Sequence, residues 1–367
     1  MAIAQISLNS FRNHHLKEID FFEGLTVIWG ENGSGKTSLL EAVHIMSFGK
    51  SFKTHRKKTL IKDGENSFVI RGRFNQPTHK DVINAEFSKA GKQTIKLNGK
   101  IVSGRKELIG RNNVVVLSPE EESLTKGPPK NRRQFFDRMF SVVSPQYLDT
   151  LQKYNRILKQ RNSSLVRFKE KKTSFSEVLG WTDPLLNFGL RLWKLRGGFL
   201  KIYEKTLFDI VDVYDDNNVK IKTTYKKKPS TEKEFQELLT SSEEKDKALG
   251  RTTVGPHCDD VSILWGENPI KIVGSQGEHK LSLVFLKLSE MLFIKNETET
   301  YPTLLLDDLF AKLDIGRSKK LVLLLNQLEN DTGKPIQTVI TTTDLVNIEN
   351  CGILVGKNEI KTHHFLK

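Results

Sequence analysis

Cysteine is nearly absent from this chain. Cys258 and Cys351 are the only two in 367 residues, too few for a disulfide framework, and neither has a neighbour at metal-ligand spacing. The nine histidines form no H-x-x-E-H pattern, so beyond a nucleotide-bound Mg²⁺ no metal cage is expected. Long apolar runs are missing as well: the most apolar long stretch, Leu281 to Ile294, is interrupted by Lys287 and Glu290, which excludes a membrane span there. Met1 to Leu8 has neither the basic start nor the apolar centre of a secretion signal, and a cytoplasmic protein without a membrane partner is expected. Acidic residues are in deficit, 44 Asp and Glu against 58 Lys and Arg, for a net charge of +14. An excess of that size points to a polyanionic partner.

The basic residues are clustered. Lys50 to Lys62 holds six of them and no acid, and Lys153 to Lys172 holds eight against Glu170 alone. In Val219 to Lys226, strand alternation places Val219, Ile221, Thr223 and Tyr225 on one face and the lysines on the other. Among these, Lys53, Arg56, Lys57 and Lys58 are the best candidates for contacts to DNA phosphates, on charge density alone.

With 37% hydrophobic residues, the chain has material for a sizeable core, and its length suggests two domains or one large interrupted one. The first 118 residues read as sheet-rich, with strand-like Phe68 to Ile70, Val82 to Phe87 and Thr94 to Leu97, and a hairpin turn at Asn98-Gly99. From Pro128 the character is helical, with Ser144-Pro145 as N-cap and first-turn pair and Tyr147, Leu151, Tyr154, Leu158 and Leu165 at helical spacing. A second helix opens at Asp183-Pro184 with Leu185, Leu192, Leu195, Phe199 and Ile202 on its apolar stripe, and Thr231 to Leu249 adds a short charged helix. The expected organisation is a sheet domain split into residues 1–118 and 251–367 around an inserted, mainly helical domain at 119–250.

The most informative stretch is Gly30-Glu31-Asn32-Gly33-Ser34-Gly35-Lys36-Thr37, which fits G-x-x-x-x-G-K-[ST]. The β-branched run Leu25 to Trp29 precedes it, and Ser38 to Val43 reads as the start of a helix, the context that this phosphate-binding loop requires. Its glycines let successive N–H groups turn inward toward nucleotide phosphates, and the helix N-terminus adds positive potential. Lys36 is expected to reach the β- and γ-phosphates of ATP, and Thr37 to ligate Mg²⁺.

Such a loop needs an acid at the end of a neighbouring buried strand, and Tyr301 to Asp308 supplies it as apolar Leu304-Leu305-Leu306 followed by Asp307-Asp308. Asp307 is expected to hold the metal, and Asp308 to orient or deprotonate the attacking water. Upstream, Ser275-Gln276-Gly277-Glu278 opens a helix with Leu281, Val284, Phe285, Leu288 and Leu292 on one face. The order P-loop, Ser-x-Gly-Glu, Leu-Leu-Leu-Asp-Asp and Ala311-Lys312-Leu313-Asp314 resembles that of ABC-type ATPase heads. In those heads the Ser-x-Gly-Glu signature of one protomer meets the γ-phosphate held by the other, and the last element crosses the interface as the D-loop.

The resemblance narrows to the RecF family of bacterial DNA-repair proteins, within the ABC/SMC-type heads, and covers nearly the whole chain. It is carried by Asn9-Ser10-Phe11-Arg12-Asn13, Gly49 to Thr54, Gly127-Pro128 with Arg132-Arg133 and Phe135-Phe136-Asp137, Lys159-Gln160-Arg161-Asn162, and Gly255-Pro256-His257-Cys258-Asp259-Asp260. It implies an α/β fold, a P-loop ABC-type ATPase head of mixed sheet plus antiparallel sheet with an inserted helical domain. It also implies an ATP-dependent homodimer bound to single-stranded, gapped or duplex DNA at the nucleoid, a RecR-type partner, promotion of RecA loading, and weak ATP hydrolysis in recombinational repair, fork recovery and the SOS response. Arg12 is expected beside the nucleotide, because the matching arginine of related heads contacts phosphate.

Departures from the pattern qualify this. Cys258 stands where the family usually has arginine, Thr343 stands where transporter ATPases carry a switch histidine, and no Q-loop glutamine follows Val114 to Leu117. Glu120, Glu121 and Glu122 occur there instead, as metal ligands or as a solvated turn. The gaps suggest slow hydrolysis. The rival readings are a transporter ATPase subunit, an SMC or Rad50 head, and a scaffold in which ATP acts only as a clamp. The missing histidine and basic excess weigh against the first, and the lack of long heptads against the second.

Overall fold

The computed structural model describes residues 2–76, 78–214, 219–308, 315–333, 336–350, 352 and 360–366. The chain divides into two compact units: Met1–Glu122, Ile210–Asp216 and Gln276–Lys367 form the first, Ser123–Asp209 and Asn217–Ser275 the second. The second unit therefore runs to Ser275, past residue 250. The reason is electrostatic: Thr252, Asp259 and Asp260 bind arginines on that unit's helices.

The first unit is built on two sheets. One has five parallel strands in the order Ile360–Phe365, Leu25–Gly30, Thr338–Thr342, Thr303–Asp307 and Val114–Leu117. Thr303–Asp307, Thr338–Thr342 and Val114–Leu117 are buried along their length, as strands covered on both faces are, and Leu304 to Leu306 and Val114 to Leu117 read as continuous apolar runs. The other sheet is antiparallel, with six strands in the order His14–Asp20, Ala2–Phe11, Ser67–Asn75, Lys80–Ser88, Gln93–Leu97 and Lys100–Ile101. Here burial alternates along Ser67–Asn75 and Lys80–Ser88, one face to the core and one to solvent. Asn98 and Gly99 both have positive φ, 50° and 84°, as the two-residue hairpin turn demands.

The second unit packs the helices Pro129–Val143, Pro145–Lys169 and most of Thr182–Val213 with a three-stranded sheet of Ile221–Tyr225, Val261–Trp265 and Asn268–Pro269. Ser144 caps its helix by accepting from the Tyr147 N–H at 3.1 Å. Along Thr182–Val213 the core residues are Leu185, Leu192, Trp193, Leu200, Tyr203 and Leu207, whereas Ile202 from the expected stripe is exposed. Thr231 to Leu249 forms two helices, Glu232–Ser241 and Glu243–Leu249, rather than one.

The family-like blocks of this unit are architectural. Arg196 is fully buried and donates to Asp137 at 2.9 Å and to Asp259 at 2.8 Å. Trp193, Tyr225 and Lys228 also converge on Asp259, so its charge is shared among several donors. Arg132 grips Asp260 with two bonds, of 2.7 and 2.9 Å. Arg161 reaches Asp246 and Thr252, and Asn162 accepts from Thr252. Among the described residues no helix is long and apolar enough to cross a membrane.

Candidate functional site

The P-loop strand Leu25–Gly30 lies between Ile360–Phe365 and Thr338–Thr342, and the chain turns at its C-terminal end into helix Lys36–Phe48. Gly30, Gly33 and Gly35 have φ of 148°, 86° and 96°, which only glycine adopts without strain. Gly30 is also sterically required, because a Cβ there would run into the carbonyl oxygen of Phe365 on the adjacent strand.

A cavity of about 580 Å³ opens above this turn, lined by Asn32, Gly33, Gly35, Lys36 and Thr37 of the loop and by Asp307, Asp308 and Thr341 from the ends of the neighbouring strands. The Thr37 hydroxyl donates to Asp307 Oδ1 at 2.8 Å, and the Thr341 hydroxyl donates to the same oxygen at 2.8 Å. Lys36 Nζ donates to the carbonyls of Gly30 and Glu31, at 2.6 and 2.8 Å. An ammonium group has three donors, so this grip leaves one for a phosphate oxygen. Ser34 is buried, and its hydroxyl has no hydrogen-bond partner among the described residues.

The electrostatics follow from burial and proximity. Burial lowers the Lys36 pKa, opposed by the attraction of Asp308 and then Asp307. Burial likewise raises that of Asp307, against the hydrogen bonds from Thr341 and Thr37 that favour its carboxylate. Asp308 sits in the left-handed region at φ 51°, held by its N–H on the Thr341 carbonyl and hydroxyl, both at 3.1 Å. Its Oδ1 is buried and without a hydrogen-bond partner among the described residues. A left-handed backbone and an acceptor without a partner among the described residues make Asp308 a candidate functional position.

The oxygens of Thr37 and Asp307 suit a hard divalent cation such as Mg²⁺, which completes its shell with water and substrate phosphate. Among the described residues no group of three or more His, Cys, Asp or Glu could hold a metal by itself. The site thus fits a magnesium ion bound together with a nucleotide.

Several residues stand where the sequence alone did not place them. Arg12 lines the cavity, but its Nε and Nη2 donate to Glu41, each at 2.8 Å, and its Nη1 to the Thr59 carbonyl at 2.9 Å. The next two residues hold the P-loop backbone: Asn13 Nδ2 donates to the Gly33 carbonyl at 3.0 Å and His14 Nε2 to that of Gly35 at 3.1 Å. Lys53 lines the cavity and pairs with Glu120 at 3.2 Å, while Arg56, Lys57 and Lys58 lie exposed farther along the same loop. Glu121 pairs instead with Lys287, which is fully buried and also bonds Glu290 at 3.0 Å, while Glu120 is exposed.

Gly277 and Glu278 belong to the first turn of helix Gln276–Thr298 and do not line the cavity; Ser275, just before that helix, is exposed. Ala311 to Asp314, expected as the D-loop, lies outside the described residues.

A P-loop at the end of a parallel sheet, an acid-ended neighbouring strand, an antiparallel second sheet and a separate helical unit together define an ABC-type ATPase head. The RecF/RecN/SMC N-terminal domain profile matches residues 2–363. The DNA replication and repair protein RecF of Lachnoclostridium phytofermentans is 31% identical, covering 100% of this chain and 98% of its own. RecF of Thermoanaerobacter sp. is 33% identical over 94% of each. A solved structure of the recombination mediator protein RecF with ATP, in the RecFOR pathway, superimposes with a TM-score of 0.84 at 30% identity, covering 94% of this chain and 92% of that one. The chain belongs to the RecF family.

Proposed function

We propose that this protein is an ATP-dependent DNA-binding protein of recombinational repair and replication-fork recovery, in which nucleotide binding closes two copies into a clamp on DNA. The observation that carries the reading is one basic loop that begins at the cavity and continues over the surface. Lys53 lines the phosphate cavity, and Arg56, Lys57 and Lys58 lie exposed a few residues on. Charges of that kind bind DNA without regard to sequence and lose affinity with salt.

In this reading Lys36 and the P-loop N–H groups hold the β- and γ-phosphates, and Thr37 and Asp307 hold a magnesium ion, which would neutralise phosphate charge. Asp308, whose Oδ1 has no partner among the described residues, orients the attacking water. Ser275, Gly277 and Glu278 of a second copy complete the site, with a helix N-terminus aimed at phosphate. Without a switch histidine, hydrolysis is slow and serves release. A RecR-type partner is supported by the RecFOR pathway named for the solved relative; a cytoplasmic setting at the nucleoid and support of RecA loading are what the RecF resemblance implies.

The test compares DNA binding and mass in solution with ATP, ADP and no nucleotide. The reading requires dimers and tight DNA binding with ATP alone; equal DNA affinity in all three states would refute it. Asp308→Asn separates a clamp that hydrolyses from a passive scaffold: dimer lifetime with ATP lengthens in the first case and stays the same in the second.

A further inference from the structure

A second cavity, of about 890 Å³, lies within the second unit, between the helix Thr182–Val213 and the stretch 225–230. Its floor is apolar, with Leu190, Trp193 and Leu200 from the helix and Pro229 opposite. Gly197 and Gly198 form the middle of the helical wall. Glycine is among the poorest residues for a helix interior, and a Cβ on either of these would meet no atom within 4 Å. The packing of the chain itself therefore does not call for them. What two adjacent glycines do supply is bare backbone that another backbone approaches closely.

The rim is cationic. Arg191, Lys194, Lys201, Lys226 and Lys227 are exposed around it, and Glu204 is the single acid among the described lining residues. Lys201 and Lys227 feel Glu204 and Glu234, but Arg191, Lys194 and Lys226 have no ion-pair partner among the described residues. The surplus calls for an acidic ligand.

Nucleic acid suits the cavity poorly. Single strands bind by stacking bases on aromatic faces, and both rings here are engaged. Trp193 packs on Phe235 at 4.5 Å and donates its N–H to Asp259 at 2.8 Å. Tyr225 has Lys228 Nζ 4.8 Å from its ring centre and its hydroxyl on Asp259. Duplex DNA would present a charged, convex backbone and leave the apolar floor uncovered. We infer that this cavity docks an extended acidic peptide segment of a partner protein, its backbone lying over Gly197 and Gly198 and an apolar side chain seated between Leu190, Leu200 and Pro229.

The test is fluorescence anisotropy of the full chain with a dye-labelled peptide, Asp-Glu-Asp-Leu-Glu-Asp-Phe-Asp, and with the same peptide carrying Ser for its Leu and Phe. Saturable binding is expected, weakened at least fivefold by the Ser replacements. Lys194→Glu with Lys226→Glu, at exposed positions, is expected to weaken it at least tenfold without moving the thermal midpoint; Gly198→Leu, which fills the groove, is expected to weaken it as much while leaving the midpoint equal or higher. Equal binding of the two peptides, or binding untouched by the charge reversal, would overturn the inference. So would displacement of the peptide by oligo-dT whose own affinity falls tenfold in Gly198→Leu, since the cavity would then take nucleic acid.

Discussion

Arg12 and Glu41 are joined by a two-pronged ion pair, Nε and Nη2 each 2.8 Å from a carboxylate oxygen. Glu41 is fully buried in the P-loop helix and also accepts from the Ser51 hydroxyl, which in turn takes the N–H groups of Lys53 and Thr54 at 2.9 and 3.0 Å. One carboxylate thus ties the turn at Arg12 and the start of the basic loop to the helix that carries Lys36 and Thr37. Removing its charge leaves a partly buried guanidinium uncompensated, so Glu41→Gln is expected to destabilise the fold by about 2 kcal/mol. Urea unfolding measures this, and an unchanged midpoint would show that Arg12 and Ser51 find other partners.

Glycine substitutions separate a steric requirement from a conformational one. Gly30→Ala places a methyl group against the Phe365 carbonyl at a φ of 148°, where neither backbone can give way, and a loss of about 3 kcal/mol is expected. Gly64 also has positive φ, 85°, but open space around it, so Gly64→Asn is expected to cost less than about 1 kcal/mol. Comparable losses in the two variants would contradict this assignment.

Lys57 and Lys58 stand on the exposed part of the basic loop, away from the cavity lining. The double variant Lys57→Glu and Lys58→Glu should therefore keep ATP affinity while weakening DNA binding, and the slope of log affinity against log salt should fall by about 2. Titration of labelled duplex at several salt concentrations reads both quantities, and an unaltered slope would remove these lysines from the interface.

Acid should loosen the fold through its histidines. Burial lowers the pKa of His14 below the usual 6.5, against its bond to Gly35, and does the same for His257 against its bond to Thr252. With a depressed folded value, the unfolded chain takes up the proton first as pH falls. The stabilisation is complete above about pH 6.5 and is lost as pH drops through the folded values. The thermal midpoint is expected to fall between pH 7.5 and 5.5, more steeply in the wild type than in His14→Gln. Parallel profiles would rule out His14 as a contributor.

The parts of the site that depend on local pattern were legible in the sequence. Gly30 to Thr37 announced its turn through glycine spacing, and Thr303 to Asp307 announced a buried strand through its apolar run. Partnerships between distant segments were not. Nothing local in Glu41 marks it as the anchor of Arg12, and nothing near Lys287 shows that Glu121 neutralises it. The boundary at Ser275 was hidden for the same reason, since Asp259 belongs to the helical unit only through Arg196 and Trp193. Asn13 and His14 were within reach: polar residues after an arginine, in a turn that could pair with the P-loop, are a signal for backbone support of a phosphate cradle.

In the proposed function the P-loop is half of a site completed by Ser275 of a second copy. Its most direct test is sedimentation of wild type and Ser275→Arg with ATP, at protein concentrations spanning the dimerisation midpoint. Ser275 is exposed, so the arginine should fold without strain within one chain. The variant is expected to bind ATP still but to stay monomeric, its dimerisation constant weakened at least tenfold. ATP-driven dimerisation equal to that of the wild type would contradict it.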